Sequence, residues 1–161
     1  MYQLRILFNP YLFPLITALC LALVSGQSKA DDAASIERGR YLMKIAGCND
    51  CHTAGYAHSD GKVAEEQWLL GDQLGWQGPW GTTYAVNLRL YMKTLSEEQW
   101  VKKAATTQLR PPMPWFALRD MTEQDLRSIY HYIKHLGPVI LSPPMCHRVN
   151  RSKVRWLNSL S

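Results

Sequence analysis

The run Cys48-Asn49-Asp50-Cys51-His52 constrains this chain more than any other feature. A Cys-x-x-Cys-His motif is the attachment pattern of a c-type haem, in which two thiols bond covalently to one porphyrin. The histidine that follows supplies an axial nitrogen to the iron. Such a chain is not folded by its side chains alone, because the macrocycle becomes the largest apolar group in its core. The motif therefore predicts one covalent haem c, bonded to Cys48 and Cys51 and coordinated by His52.

Two other kinds of site share the Cys-x-x-Cys spacing. A thioredoxin-like redox pair is typical of an alternating strand–helix pattern, and no such pattern surrounds the motif. A zinc site needs a second close pair of ligands, for which His131 and His135 are the candidates. That pair has the i,i+4 spacing of a helix whose other features explain it well. The sequence favours haem attachment over both alternatives.

Residues 1–30 have the pattern of a secretory signal peptide. Arg5 precedes an apolar run from Leu15 to Val24, and small residues lead to Ala30. An uncleaved membrane anchor is the alternative, but the unbroken run is only half of the roughly twenty residues that span a bilayer. Haem c is attached outside the cytoplasm, so the signal and the motif agree and predict a periplasmic protein. Residues 31–138 then form one domain, and residues 139–161 form a flexible basic tail.

The net charge of +5 comes largely from that tail. Between Asp31 and His147, twelve Lys and Arg stand against thirteen Asp and Glu, whereas the residues from Arg148 onward include four cations and no acid. Because there is no basic face, nucleic-acid binding has no support. The tail could contact anionic lipid or an acidic redox partner, or remain solvated. Cys146 is either an exposed unpaired residue or half of an intermolecular disulfide.

A helix is predicted immediately before the motif. Ser35 is the expected N-cap and the helix should end near Gly47. Gly39 would let another helix approach closely. The predicted apolar side consists of Tyr41, Leu42 and Ile45.

Residues 53–94 are rich in glycine and poor in periodicity, which predicts a long irregular loop with a short helix at residues 65–70. A haem edge would supply the apolar surface that such a loop lacks. The residues expected to wrap the haem are Trp68, Leu69, Leu70, Leu74, Trp76 and Trp80.

Two later helices have strong local signals. Ser96 is the predicted N-cap of one, with Gln99 completing a capping box, and Thr122 is the predicted N-cap of the other. The last helix should end at Gly137. Its predicted apolar stripe consists of Leu126, Ile129, Tyr130, Ile133 and Leu136.

Between these helices, the prolines of Arg110-Pro111-Pro112-Met113-Pro114 stiffen an extended loop. The neutral, soft thioether of Met113 suits the second axial ligand and favours ferrous iron. Other candidates remain open for this position. They are the methionines at 43, 92, 121 and 145 and the histidines at 58, 131, 135 and 147, together with an open site.

From Ser35 to Pro138, the order of these features resembles that of a class I c-type cytochrome. The haem domains of cytochrome subunits of membrane-bound alcohol and aldehyde dehydrogenases are similar in three stretches, although those subunits usually carry three domains and this chain has one. The stretches are Gly39-Arg40-Tyr41-Leu42, Pro79-Trp80-Gly81-Thr82 followed by Tyr84 and Asn87, and the helix Met121–Tyr132.

The resemblance implies an all-α cytochrome c fold, with three to four helices and a long glycine-rich loop wrapped around the haem. It also implies that the Pro79 carbonyl accepts a hydrogen bond from Nδ1 of His52. The loop around Tyr84 and Asn87 would face the haem propionates.

Three functions are compatible with these features. The first is a periplasmic one-electron carrier that works with a dehydrogenase or another respiratory protein and is not itself an enzyme. The second is a haem enzyme or gas sensor with a labile sixth ligand, against which the Pro-Pro-Met-Pro loop argues. The third is a permanent electron-transfer subunit of a larger dehydrogenase.

Overall fold

The computed structural model describes residues 30–140 and the backbone of residues 154–156. The chain divides into two compact units, Met1–Ala34 and Ser35–Ser161. Of the first unit, residues 30–34 are described, and they are helical. Of the predicted signal peptide, residues 1–30, the structure describes Ala30 alone, and the pair Cys146-His147 lies outside the described residues.

Helices dominate the described part of the chain. Helix α1 comprises residues 30–45, α2 Cys48–His52, α3 Leu88–Lys93, α4 Glu97–Thr106, α5 Trp115–Asp120 and α6 Glu123–Leu136. Single 3₁₀ turns occur at Ala57–Ser59 and Glu65–Gln67. The predicted helix at residues 65–70 is therefore shorter than expected and of the tighter type.

A small β-sheet interrupts the glycine-rich loop and was not predicted from the sequence. Strands β1 (Gly75–Gly78) and β2 (Gly81–Tyr84) form an antiparallel hairpin. Gly81 has φ +94°, a conformation that favours glycine and lets the chain reverse over two residues. Strand β3 (Val154–Trp156) pairs in parallel with β1. This strand lies within the predicted basic tail.

Helices α1 and α6 meet at Gly39, as the sequence predicted. A Cβ atom built on Gly39 would lie 2.0 Å from the Ser128 carbonyl oxygen and 2.6 Å from the Tyr132 Cβ. Only glycine allows this approach of two helices. The buried core around the crossing includes Leu42, Met43, Leu126, Ile129, Tyr132 and Ile133.

Helix-end signals were predicted correctly in α4 and α6. Ser96 accepts a hydrogen bond from the Gln99 backbone N–H, and the Gln99 side chain accepts one from the Ser96 N–H, which completes the capping box. Thr122 accepts from the Asp125 N–H at 3.1 Å. Helix α6 ends at Gly137, which has φ +70°.

The predictions for α1 were partly wrong. The helix extends beyond Ser35, whose hydroxyl is 2.8 Å from Nδ1 of His131 rather than capping a helix. Leu42 is buried as predicted, whereas Tyr41 and Ile45 are 51% and 59% exposed. Met43 is buried instead, because α6 covers the side of α1 that carries Gly39 and Met43. The predicted end near Gly47 is confirmed by its φ of +70°.

Candidate haem site

One cavity of about 410 Å³ lies beside α2, within the range of about 300–1,000 Å³ typical of ligand sites. It is lined by residues of all six helices, of strands β1 and β2 and of the loop before α5. Most of the lining side chains are apolar. The predicted haem-binding residues on the lining are Cys48, Cys51, His52, Tyr84 and Met113.

The two thiols come from α2, which follows directly on the left-handed turn at Gly47. Burial raises the pKa of Cys48 to about 11, and it also raises the pKa of Cys51. A thioredoxin-like pair instead has a thiol with a lowered pKa, because the thiolate is the nucleophile. Cys48 and Cys51 are not disulfide-bonded. These thiols therefore lack the lowered pKa that dithiol redox chemistry requires.

His52 is buried, and its ring is oriented by one backbone contact. Its Nδ1 lies 2.8 Å from the carbonyl oxygen of Val86 and donates a proton to it in the tautomer that leaves Nε2 free for a metal. Burial lowers the pKa of His52, although the bond to Val86 opposes this. The imidazole is therefore held in the neutral form that a metal requires.

The prediction that the Pro79 carbonyl orients His52 was wrong. Pro79 lies in the exposed two-residue turn between β1 and β2 and does not line the cavity. Val86 follows β2 and does line it. The predicted segment is correct, but the carbonyl that accepts the bond from His52 lies seven residues after Pro79, beyond the hairpin.

The backbone around His52 is anchored by residues that the sequence analysis did not single out. Thr53 donates its hydroxyl proton to the Asn49 side chain at 2.8 Å and accepts a hydrogen bond from the Leu69 N–H, also at 2.8 Å. The Gly71 N–H donates to the His52 carbonyl at 2.8 Å. Asn49 inside the motif and Thr53 immediately after it are both fully buried. A polar pair at i,i+4 spacing was the available signal.

Met113 is partly buried and lines the same cavity as His52. Two other methionines, Met43 and Met121, also line it, whereas Met92 is buried elsewhere. Among the described residues, His52 is the only histidine on the lining. His131 is held by Ser35 and lies 3.2 Å from a Glu97 carboxylate oxygen. The described histidines other than His52 are thus not placed to compete with Met113.

Tyr84 lines the cavity and is 37% exposed, as a residue at a haem edge would be. Asn87 does not line it. Its side chain accepts from the Leu90 N–H at 3.0 Å and donates to the Val139 carbonyl at 3.1 Å. The Asn87 side chain therefore caps α3, and the expectation that the loop around Tyr84 and Asn87 faces the haem propionates stays a prediction.

Only one of the six residues predicted to wrap the haem lines the cavity, namely Trp76. Trp68 and Leu69 are buried in the core instead. The Trp68 indole donates to the Val63 carbonyl, and its ring packs edge to face against the rings of Tyr56 and Tyr132.

The donor set fits haem c. Two adjacent thiols, a neutral imidazole and a thioether surround one apolar cavity, and these are the groups that attach and coordinate this cofactor. The zinc alternative is not supported, because residues 30–140 contain no cluster of three or more His, Cys, Asp or Glu side chains suited to a metal ion. No helix in the described part of the chain is long and apolar enough to cross a membrane.

Comparison with known proteins supports the same cofactor. Two alcohol dehydrogenase (quinone) cytochrome c subunits, from Gluconacetobacter polyoxogenes and Komagataeibacter europaeus, are each 26% identical over 83% of this chain and 28% of their own length. The fructose dehydrogenase cytochrome subunit of Gluconobacter japonicus is 34% identical over 62% of this chain and 21% of its own length. The chain thus spans between a fifth and a third of these relatives. No solved structure matches it.

The family comparison covers the whole site. Residues 36–137 match the Cytochrome c family, a range that includes the motif, the hairpin, Met113 and α6. Domains of this family typically transfer electrons and hold haem c covalently, with which Cys48 and Cys51 are consistent. The predicted cytochrome c fold is confirmed, with the small sheet as an addition. The chain belongs to the cytochrome c family and is related to the cytochrome subunits of dehydrogenases.

Proposed function

We propose that this protein carries single electrons through one haem c, attached to Cys48 and Cys51 and coordinated by His52 and Met113. The observation that carries the proposal is that all four side chains line one largely apolar cavity. When bound, haem c supplies a couple between ferric and ferrous iron. The protein needs no acid–base residue for this function and no open coordination position.

The chain's own residues set the conditions for electron transfer. Val86 fixes the ring of His52 through the 2.8 Å hydrogen bond, which keeps Nε2 directed toward one ligand position. Met113 supplies a neutral, soft sulfur that favours the reduced state. The apolar lining limits the access of water and further favours the state with less charge. Together these groups support a carrier with a stable coordination sphere.

The electron donor is proposed to be a dehydrogenase. The relatives named above are cytochrome subunits of quinone alcohol dehydrogenase and of fructose dehydrogenase, which supports a redox protein of this class as partner. The signal-peptide pattern in residues 1–30 supports a periplasmic location. Association with a dehydrogenase as a permanent subunit is the second candidate, because these relatives are named as subunits.

A set of isosteric variants tests the ligand assignment. Met113→Leu removes the sulfur with little change of volume, so we expect loss of the Met–Fe charge-transfer band in the ferric protein. The reduction potential should fall, within the roughly 0.8 V range that axial ligands span. Met43→Leu and Met121→Leu are matched controls from the same cavity lining and should retain the band. Retention of the band in Met113→Leu, with its loss in a control, would reject the assignment.

The two modes of partnership differ in what purifies together. A mobile carrier should leave native membrane extracts as a monomer and be reduced by a dehydrogenase added in solution. A permanent subunit should instead co-purify with a large flavin- or quinone-linked chain in a fixed ratio. Reduction by neither route would contradict the dehydrogenase assignment.

A further inference from the structure

We propose that Thr83 is a positioning residue for Met113. Its hydroxyl would tie the Met113 loop, defined as residues 108–114, to strand β2 of the hairpin. The proposal deepens the proposed function and rests on its assignment of Met113 as an axial ligand. It concerns how firmly that ligand is held.

The contact itself is short and direct. The Thr83 hydroxyl donates a proton to the Pro111 carbonyl oxygen at 2.6 Å, two residues before Met113. A second acceptor, the Trp76 carbonyl, is more distant at 3.4 Å and belongs to the neighbouring strand β1. Thr83, Pro112 and Met113 all line the cavity. The hydrogen bond therefore joins the loop to the hairpin at the edge of the proposed haem site.

The Met113 loop has few backbone hydrogen-bond donors of its own. Three of its seven residues are prolines, which have no backbone N–H to donate. The bonds accepted by the Met113 and Pro114 carbonyls, from Trp115 and Ala117, are local contacts at the start of α5.

The same short segment also supports the opposite ligand. Three residues after Thr83, the Val86 carbonyl accepts the hydrogen bond from Nδ1 of His52. The stretch 83–86 is therefore bonded both to the proposed proximal ligand and to the loop that carries the distal one. This arrangement indicates that the hairpin acts as a brace between the two axial ligands.

Ligand exchange separates this role from a purely structural one. An external ligand such as imidazole can bind ferric iron only when Met113 leaves, so its binding rate reports how often the loop opens. Loss of one hydrogen bond changes such an equilibrium by about 2- to 12-fold. We expect imidazole to bind Thr83→Val holoprotein faster than wild type by about this factor.

Three variants of the holoprotein complete the test. Thr83→Ser retains a hydroxyl and should restore a rate near wild type. Thr82→Val makes the same substitution at a neighbouring strand position that does not line the cavity, and it should have no effect. The reduction potential of Thr83→Val should fall, because a weaker Met113 bond favours the ferrous state less. If Thr83→Val does not accumulate with haem, Thr83→Ala removes the same hydroxyl without adding a second methyl group.

A wild-type imidazole rate and potential in Thr83→Val would overturn the proposal, as would an equal acceleration in Thr82→Val. The underlying assignment has its own check. If Met113→Leu binds imidazole no faster than wild type, Met113 is not the displaced ligand and the proposed function fails at this point, whatever the Thr83 variants show. Fast binding in Met113→Leu with normal binding in Thr83→Val would reject the Thr83 proposal alone.

Discussion

Helix α6 separates two regions of the protein that are completed in different ways. Ile129 and Ile133 face the cavity, whereas the adjacent Tyr132 packs on the other side against Trp68. The second region, called the Trp68 region here, consists of Trp68, Tyr132, Arg40 and Glu65. Both Tyr132 and Arg40 bond to the Glu65 carboxylate. The guanidinium of Arg40 also lies 5.7 Å from the centre of the Trp68 ring.

The difference shows that side chains alone complete the packing of one region, whereas the packing of the other depends on a cofactor. The Trp68 region is filled by its own aromatic rings, ion pair and hydrogen bonds. The cavity region is lined by apolar side chains around a space that the proposed haem would fill. Substitutions in the first region should therefore act on packing, and substitutions in the second should act through the cofactor.

The largest effect is expected when the cavity region loses its cofactor. The double variant Cys48→Ala/Cys51→Ala cannot attach haem. Without haem, the apolar side chains around the cavity of about 410 Å³ lose their packing partner, and a domain that is only marginally stable tolerates little such loss. We expect the exported variant to contain no covalent haem. Its circular dichroism should show no cooperative thermal transition. Cys146→Ala is the control and should resemble wild type; a double variant that folds cooperatively without any bound haem would show that the cavity region needs no cofactor.

The next largest effect is expected at the helix crossing. Gly39→Val forces a side chain against the backbone of α6, so we expect a loss of about 3 kcal/mol in the free energy of unfolding of the holoprotein. Gly55→Ala is the contrast, since its Cβ would meet no atom within 4 Å and only its φ of +76° is unfavourable. That variant should lose about 1 kcal/mol. Equal losses in guanidinium titrations would contradict a close contact at Gly39.

A third prediction concerns a buried cation away from the cavity. Arg89 is 6% exposed and donates to the backbone carbonyls of Glu66, Leu136 and Gly137, which ties α3 to the end of α6. Arg89→Met leaves these acceptors without their donor and should cost about 2–3 kcal/mol. Arg89→Lys should recover only part of this, because an ammonium lacks the planar fork. The haem spectrum should be unchanged in both; a spectral change would mean that Arg89 acts on the cavity.

The smallest effect is expected within the Trp68 region. Tyr132→Phe removes the 2.8 Å hydrogen bond to Glu65 and should cost about 1 kcal/mol near neutral pH. Although burial opposes ionisation, the bonds from Tyr132 and Arg40 hold the pKa of Glu65 below its usual value. Because this pKa is lower in the folded state, ionised Glu65 stabilises the fold at pH values above its unfolded-state pKa of about 4.3. This stability is lost as the pH falls through the folded-state pKa.

The stability that is lost when the pH falls should therefore be smaller in Tyr132→Phe than in wild type. Unfolding titrations between pH 3 and pH 7 would measure it as a difference between the two proteins. Tyr130→Phe is the matched control, since that hydroxyl bonds to the Leu95 carbonyl at 3.0 Å and not to a carboxylate. An identical pH dependence in Tyr132→Phe and wild type would reject the contribution of Glu65.

Features set by a few neighbouring residues were predictable from the sequence. The caps at Ser96 and Thr122 depend on residues three positions away, and both are confirmed. Gly39 was predictable because a glycine inside a helical pattern usually has a packing reason. The spacing within Cys48–His52 is enough to predict haem attachment, and the structure places the motif on one cavity with Met113.

Features set by distant packing were not predictable in this way. The exposure of Tyr41 and Ile45 depends on which side of α1 is covered by α6, and a helical pattern alone does not fix that choice. Trp68 and Trp76 look alike in sequence but lie in different regions. The contact of His52 with Val86 depends on a hairpin in a segment with no clear periodicity.

The central claim is that the cavity region is closed by haem c with His52 and Met113 as axial ligands. The most direct measurement is the absorption spectrum of the exported protein, ferric and ferrous, before and after addition of carbon monoxide. We expect low-spin iron, a Met–Fe charge-transfer band in the ferric state and no change with carbon monoxide. Ready binding of carbon monoxide would mean that the sixth coordination position is open or labile. The protein would then be assigned as a haem enzyme or gas sensor and not as an electron carrier. A protein without covalent haem would contradict the account as a whole.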